Sequence, residues 1–169
     1  EIWNGTSWTE VNDLNTGKLN NSCAGITTAA ISVGGGPDQQ TQVELWDGTS
    51  WTETTEVNSA KNASASSGTS TATISAGGSP AGAVALTEIW NGSAWTEVAD
   101  LNTARFQLNG FGLTTAALVF GGNTNTAATV NTEAWDGSAW AEVANFATAT
   151  QTMGSSSNAS NTNGASFGG

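Results

Sequence analysis

The sequence predicts an all-β fold made of four copies of one four-stranded unit, and three observations carry that expectation. Pairs of tryptophans recur every 43 to 45 residues, double glycines recur in the same phase, and the apolar positions leading into each double glycine alternate with a period of two. Period two is the signature of a strand, and a fixed period of this length is the signature of a repeat architecture.

The tryptophan pairs are Trp3/Trp8, Trp46/Trp51, Trp90/Trp95 and Trp135/Trp140, enclosing NGTS, DGTS, NGSA and DGSA. Each enclosed segment begins with Asn-Gly or Asp-Gly, dipeptides that accept positive φ and permit a tight antiparallel reversal, so each pair predicts a β-hairpin. A four-residue loop would set the two tryptophans opposite each other; a two-residue turn would set Trp3 opposite Thr6. The connectors DLNTGK, EVNSAK, DLNTAR and NFATAT follow, rich in side chains that bond nearby backbone and favour turns.

Two further strands are predicted in each unit, the second ending in a double glycine at Gly34/Gly35, Gly77/Gly78, Gly121/Gly122 and Gly168/Gly169. Ile31 and Val33, Ile74 and Ala76, Leu118 and Phe120, and Ala165 and Phe167 supply the alternation. All three basic residues, Lys18, Lys61 and Arg105, stand eight positions after a glutamate (Glu10, Glu53, Glu97). In the fourth copy Glu142 persists but Thr150 stands at the basic position. Cations so regularly placed predict a structural ion pair, or a stem packed over tryptophan.

Four strands in about 44 residues is the dimension of one propeller blade, and the helical alternative lacks amphipathic runs. The chain is therefore expected to be one repeat domain, residues 1–169, with approximate units 1–35, 36–78, 79–122 and 123–169. Small residues before the double glycines (Ala29, Ala30, Ser32; Ala72, Thr73, Ser75; Ala116, Ala117) place those strands innermost, where crowding at a central axis is greatest.

These landmarks resemble the kelch repeat. There a double glycine ends the second strand, an aromatic, a turn and a Trp follow in the third and fourth, and a Pro-Thr-Ala-Arg-like stretch leads onward. Gly121/Gly122, Trp135, the turn Asp136-Gly137, and Trp140 stand in that order, and Thr103-Ala104-Arg105 matches the lead-in. The first aromatic is Trp where kelch commonly has Tyr, and the hairpin loop is shorter, so the resemblance is to a divergent, low-complexity relative. It implies a β-propeller of kelch-like four-stranded blades. The Thr, Asn, Ala and Gly-rich style is also similar to repeats in structural and tail-appendage proteins of environmental bacteriophages.

Two architectures remain open. Residues Glu1 to Val11 could share a blade with the strands ending at Gly168 and close a ring of four, or the four units could form part of a larger ring or a fibre-like array. Glu1 begins inside a repeat, with no initiator Met or signal-peptide pattern, so a processed product or an internal segment is expected.

Composition narrows the function classes. A net charge of −11 repels a phosphate backbone and anionic lipid, and no apolar run is long enough to span a bilayer, so neither nucleic-acid binding nor membrane insertion is expected. Eight tryptophans argue for a folded chain despite few large aliphatic residues, and in-phase Trp is expected in the core. Cys23 is the only cysteine, and with no histidine as a base it is expected to be an inert packing residue.

Copper-oxidase chemistry on such a fold would need Tyr and His ligands, and both are absent. Sialidase chemistry would need an arginine cluster and a tyrosine nucleophile, against the single Arg105. Glu1, Glu44, Glu88 and Glu133 recur in every unit, as do the glutamates at 10, 53, 97 and 142, and such repetition signals architecture rather than a catalytic pair. Asp47 and Asp136 lack the ligand cluster that calcium requires. Glycosylation sequons at Asn4, Asn20, Asn62, Asn91 and Asn158 are cheap matches in this composition.

No enzyme activity, cofactor or metal is expected. The expectation is a structural or interaction module, part of a phage virion appendage or other extracellular assembly, with other protein subunits as partners. The alternative is a lectin-like adhesin in which exposed Trp binds cell-surface glycans.

Overall fold

A computed structural model describes residues 1–36, 41–156 and 161–168. The repeat position Gly169 and the sequon at Asn158 lie outside the described residues.

The described residues contain strands and turns and no helix. A short hairpin, β1 (Ile2–Trp3) and β2 (Trp8–Thr9), comes first. Three four-stranded sheets follow. They are β3 (Ser22–Ile26) to β6 (Trp51–Thr54), β7 (Ala65–Thr69) to β10 (Trp95–Val98), and β11 (Asn109–Leu113) to β14 (Trp140–Glu142). Between those bounds lie β4 (Ala29–Val33), β5 (Val43–Trp46), β8 (Ala72–Ala76), β9 (Thr87–Trp90), β12 (Ala116–Phe120) and β13 (Thr132–Trp135). A second short pair, β15 (Gly154–Ser155) and β16 (Ser166–Phe167), ends the chain. Every full sheet is an antiparallel meander in sequence order.

The Asn/Asp-Gly hairpins close with four-residue loops, since Trp46 pairs with Trp51, Trp90 with Trp95 and Trp135 with Trp140. The loop is held by its first side chain. Oδ1 of Asn4, Asp47, Asn91 and Asp136 accepts two backbone N–H bonds, from the second and third residues onward, at 2.8–3.0 Å. For Asp47 and Asp136 these donors hold the carboxyl below its usual pKa, led by Ser50 and Thr49 in one case and by Ala139 in the other.

The sheets stack with their first strands together, β3 against β7 and β7 against β11, with β15 beside β11. This corrects the sequence expectation that the strands before the double glycines are innermost. Those strands, β4, β8 and β12, are second in each sheet, and their small residues fit a position packed on both faces and bonded on both edges. The innermost strands are edge strands of their sheets but pack closely against one another, and their sequences SCAGI, ASSGT and NGFGL are the more Gly- and Ser-rich.

The apolar cores lie in the seams between sheets. Ile31, Val33 and Val57 of the first sheet's side pack with Trp90 and Trp95, and Ala65, Ile74 and Leu101 pack with Trp135 and Trp140. These two tryptophan pairs therefore back onto the sheet before them. A third, smaller cluster joins Phe111 and Phe120 to Met153, with Phe146 stacked 5.3 Å from Phe120.

The two end hairpins remain separate two-stranded sheets. The ring of four considered above, with Glu1 to Val11 completing the blade that ends at Gly168, is thus not formed.

Candidate functional site

Each complete sheet holds one buried carboxylate. Glu44, Glu88 and Glu133 sit on the third strand and are met by Lys18 at 3.3 Å, Lys61 at 3.8 Å and Arg105 at 2.8 Å, with the side chains of all six essentially inaccessible to water. Burial pushes the Lys61 and Arg105 pKa values down, and the charges of Glu88 and Glu133 oppose the shift.

The connector before each sheet supplies the remaining partners. Asn15, Asn58 and Asn102, three residues ahead of the cation, donate both backbone N–H and side-chain Nδ2 to the far carboxylate oxygen at 2.7–3.1 Å. The same Nδ2 groups bond the carbonyls of Trp51, Trp95 and Trp140. Burying a carboxylate is tolerable only with such a full complement of donors and charge.

The cation's backbone has a second task. The carbonyl of Lys61 accepts the N–H of Gly35, and that of Arg105 the N–H of Gly78, both at 2.8 Å, which ties each sheet to the next. A Cβ on Gly77, whose φ is +69°, would stand 2.6 Å from the Arg105 carbonyl oxygen, so the seam admits only glycine. Thr150 keeps this backbone role, accepting from Gly122 at 2.8 Å, but has no charge to offer. Ala147 likewise occupies the asparagine position, as the shared bonds Leu101 N–H to Ala85 and Phe146 N–H to Val130 fix the phase of the two connectors. The fourth unit is folded into place without its acid clamp.

A feature invisible to residue type lies at the axis. Asn20, Ala63, Gln107 and Thr152 all have positive φ, between 52° and 61°. Ala63 N–H donates to the Asn20 carbonyl, Gln107 to Ala63 and Thr152 to Gln107, at 2.7–3.0 Å, a peptide relay running from unit to unit. Beside it the innermost strands line a groove of about 340 Å³ with hydroxyl and amide groups, including Ser22, Ser66, Asn109 and Ser155. Ser22 and Ser66 bond each other at 2.7 Å. Cys23 opens on this groove, and desolvation of its sulfur pushes the thiol pKa up, the opposite of an activated nucleophile.

Exposure changes along the arc. The second tryptophan of each pair is 64% exposed at Trp8, intermediate at Trp51 and 6% exposed at Trp95 and Trp140. The residue before the double glycine runs the other way, with Phe120 at 2% and Phe167 at 63%. Among the described residues no sheet precedes Trp8 and none follows Phe167. By its Trp3↔Trp8 register the β1–β2 hairpin corresponds to the third and fourth strands of the repeat, and β15–β16, which leads into Gly168, to the first and second.

Groups of three or more potential metal ligands are absent among the described residues. No helix of the described residues is long and apolar enough to cross a membrane.

No family model matches the chain, and no curated protein matches it. Among solved structures 144 chains match. One of them, YjhT, superposes with a TM-score of 0.66 at 12% identity, over 85% of this chain and 55% of its own. The chain thus spans about half the length of that protein. Together with the stacked four-stranded meanders, the likeness establishes an all-β, blade-based propeller fold.

Proposed function

We propose that this chain is a non-enzymatic interaction module, a run of propeller blades that contacts other protein subunits through the groove along its innermost strands. The observation that carries this reading is the groove of about 340 Å³ along the innermost strands, where Ser22, Ser66, Gln107, Asn109 and Ser155 offer hydrogen-bonding groups to a partner. The in-phase carboxylates support a structural rather than a catalytic role, because each buried one is occupied by a clamp of Asn and cation.

Thiol labelling of Cys23, which is free and opens on the groove, in the isolated chain and in the native assembly that contains it, tests this. The reading expects labelling of Cys23 to slow in the assembly; equal rates in both would contradict it. The setting we propose, a virion appendage or other extracellular assembly of a kelch-like repeat protein, rests on the resemblance of its hydroxyl-rich repeats. Detection by mass spectrometry in purified particles or secreted material supports it, and confinement to the cytoplasm as a free monomer contradicts it.

One observation favours a second reading. Trp3 and Trp8 form an exposed pair, with centroids 5.6 Å apart, that could stack against sugar rings. A glycan array probed with the chain and with its Trp3→Ala and Trp8→Ala variants separates the readings, since a lectin would lose signal on both substitutions.

A further inference from the structure

Asn-Gly dipeptides occur in the chain at Asn4, Asn91, Asn109 and Asn163. Asn91-Gly92 and Asn109-Gly110 fall within complete sheets, one in a turn and the other in a strand. Asn-Gly is chemically labile because the glycine nitrogen, with no side chain beside it, can attack the Asn carboxamide carbon.

Asn91 stands exposed at the tip of the β9–β10 hairpin, with Gly92 exposed beside it at a φ of +94°. Its Oδ1 accepts N–H bonds from Ser93 at 2.9 Å and from Ala94 at 3.0 Å. The bond from Ser93 closes a small ring to which the Asn91 Cγ and the Gly92 nitrogen both belong, so electrophile and nucleophile are held close together. Both donors stand at the distance that stabilises an oxyanion when charge develops on Oδ1. The turn is closed by the N–H groups of Asn91, Ser93 and Ala94, and the Gly92 nitrogen is not among them. Asn109 has the same neighbour in a different frame. It lies in β11, where Gly110 is buried, pairs with Val119 and donates its N–H to the Asn109 Oδ1 at 2.7 Å. The extended backbone of a bonded strand keeps that nitrogen from closing a five-membered ring on Cγ.

We propose that Asn91 is a self-modification site, at which the hairpin turn promotes loss of the side-chain amide and leaves an aspartyl residue. The Gly92 N–H gives its proton to a solvent base, and the nitrogen bonds the Asn91 Cγ. Charge passes to Oδ1, where the Ser93 and Ala94 N–H groups hold it. The Cγ–Nδ2 bond then breaks, and Nδ2 leaves as ammonia with a proton from water. Water opens the resulting succinimide at the side-chain carbonyl to give aspartate, or at the main-chain carbonyl to give isoaspartate. Nothing is oxidised or reduced, and the chain gains one negative charge. The turn is suited to the aspartate. Asp47 and Asp136 occupy the same position and accept the same pair of N–H bonds at 2.8–2.9 Å. Those donors hold both carboxyls below their usual pKa, so a carboxylate is stabilised there and, once ionised, is a poor electrophile. Isoaspartate adds a main-chain atom to a loop whose ends are pinned by the Trp90↔Trp95 pairing. The proposal is independent of the interaction-module reading.

The test incubates the full chain at mildly alkaline pH and follows aspartyl and isoaspartyl products at each Asn by peptide mapping with mass spectrometry, with Asn91→Asp as the product standard. Conversion at Asn91 should be at least about tenfold faster than at Asn109, a modest share of what oxyanion donors supply. Ser93→Pro removes one of those donors and separates the turn from exposure alone. With its fold checked by circular dichroism, conversion at Asn91 should drop at least about tenfold. Equal rates at Asn91 and Asn109 overturn the proposal, as does a Ser93→Pro variant that converts as fast as the parent or faster. So does an Asn91 that stays intact in the folded chain while a free peptide of residues 87–98 converts.

Discussion

Arg105 places Nη2 2.8 Å from Oε1 of Glu133, with both side chains fully withdrawn from water. Breaking such a pair from one side leaves the other charge stranded, at a cost of about 3–5 kcal/mol. Arg105→Met and Glu133→Gln should each lower the urea-unfolding free energy by that amount. Their combination should fall short of the sum by about 1–3 kcal/mol, because the groups are in contact. Thr150→Arg alone should add no stability, since no carboxylate awaits it.

The turn carboxylates give the fold an acid-sensitive component. Asp47 and Asp136 have folded pKa values below 3.8, so their stabilisation is present above that value and is lost as the pH falls through the folded pKa. Asn4 and Asn91 make the same turn bonds without titrating. The double variant Asp47→Asn, Asp136→Asn should therefore keep its turns and lose less stability than the parent when the pH is lowered through and below 3.8 in chemical unfolding.

Backbone conformation separates two sites only fourteen residues apart. Gly77→Ala places a methyl group 2.6 Å from the Arg105 carbonyl oxygen at a φ of +69°, and should cost at least about 2 kcal/mol. Ala63→Gly relieves a left-handed alanine with φ of +56° and should stabilise by about 0.5–1 kcal/mol. Thermal unfolding of the two variants reads both signs.

The tryptophans should divide by position in the arc. Trp90 is buried in a seam and donates Nε1–H to the Ser70 carbonyl at 3.0 Å, so Trp90→Ala should cost about 3–5 kcal/mol. Trp8 is largely exposed and touches chiefly Trp3, so Trp8→Ala should cost no more than about 1.5 kcal/mol in the isolated chain. Urea titrations followed by circular dichroism avoid the change in fluorescence.

What could be read from the sequence was local or periodic. Asn-Gly and Asp-Gly mark a reversal wherever they fall, and tryptophans spaced by one period mark equivalent sites, so strands and repeats were legible before any packing was known. The innermost strand was not, because sheet order depends on which edge meets the axis, and SCAGI and AAISV are both small enough for that place. Phase marked the cations but not their partners. Both glutamate series recur, and only the third-strand set, Glu44, Glu88 and Glu133, is enclosed, while Glu53, Glu97 and Glu142 lie opposite them on the outermost strand, exposed. The asparagines of the clamp were present in phase within connectors that read simply as turns. The axial relay left no trace in residue type, being made by the backbone of Asn20, Ala63, Gln107 and Thr152.

Amide hydrogen exchange of residues 1–169 in isolation, resolved to single residues, tests most directly whether the complete sheets stand apart from two separate two-stranded hairpins. Amides of Ser75, Ile89 and Val119, within completed sheets, should exchange only through global unfolding, whereas those of Trp3, Thr9 and Phe167 should exchange orders of magnitude faster. Equal protection of the two groups would mean that β1–β2 and β15–β16 are zipped into a shared blade, and would contradict the open arc.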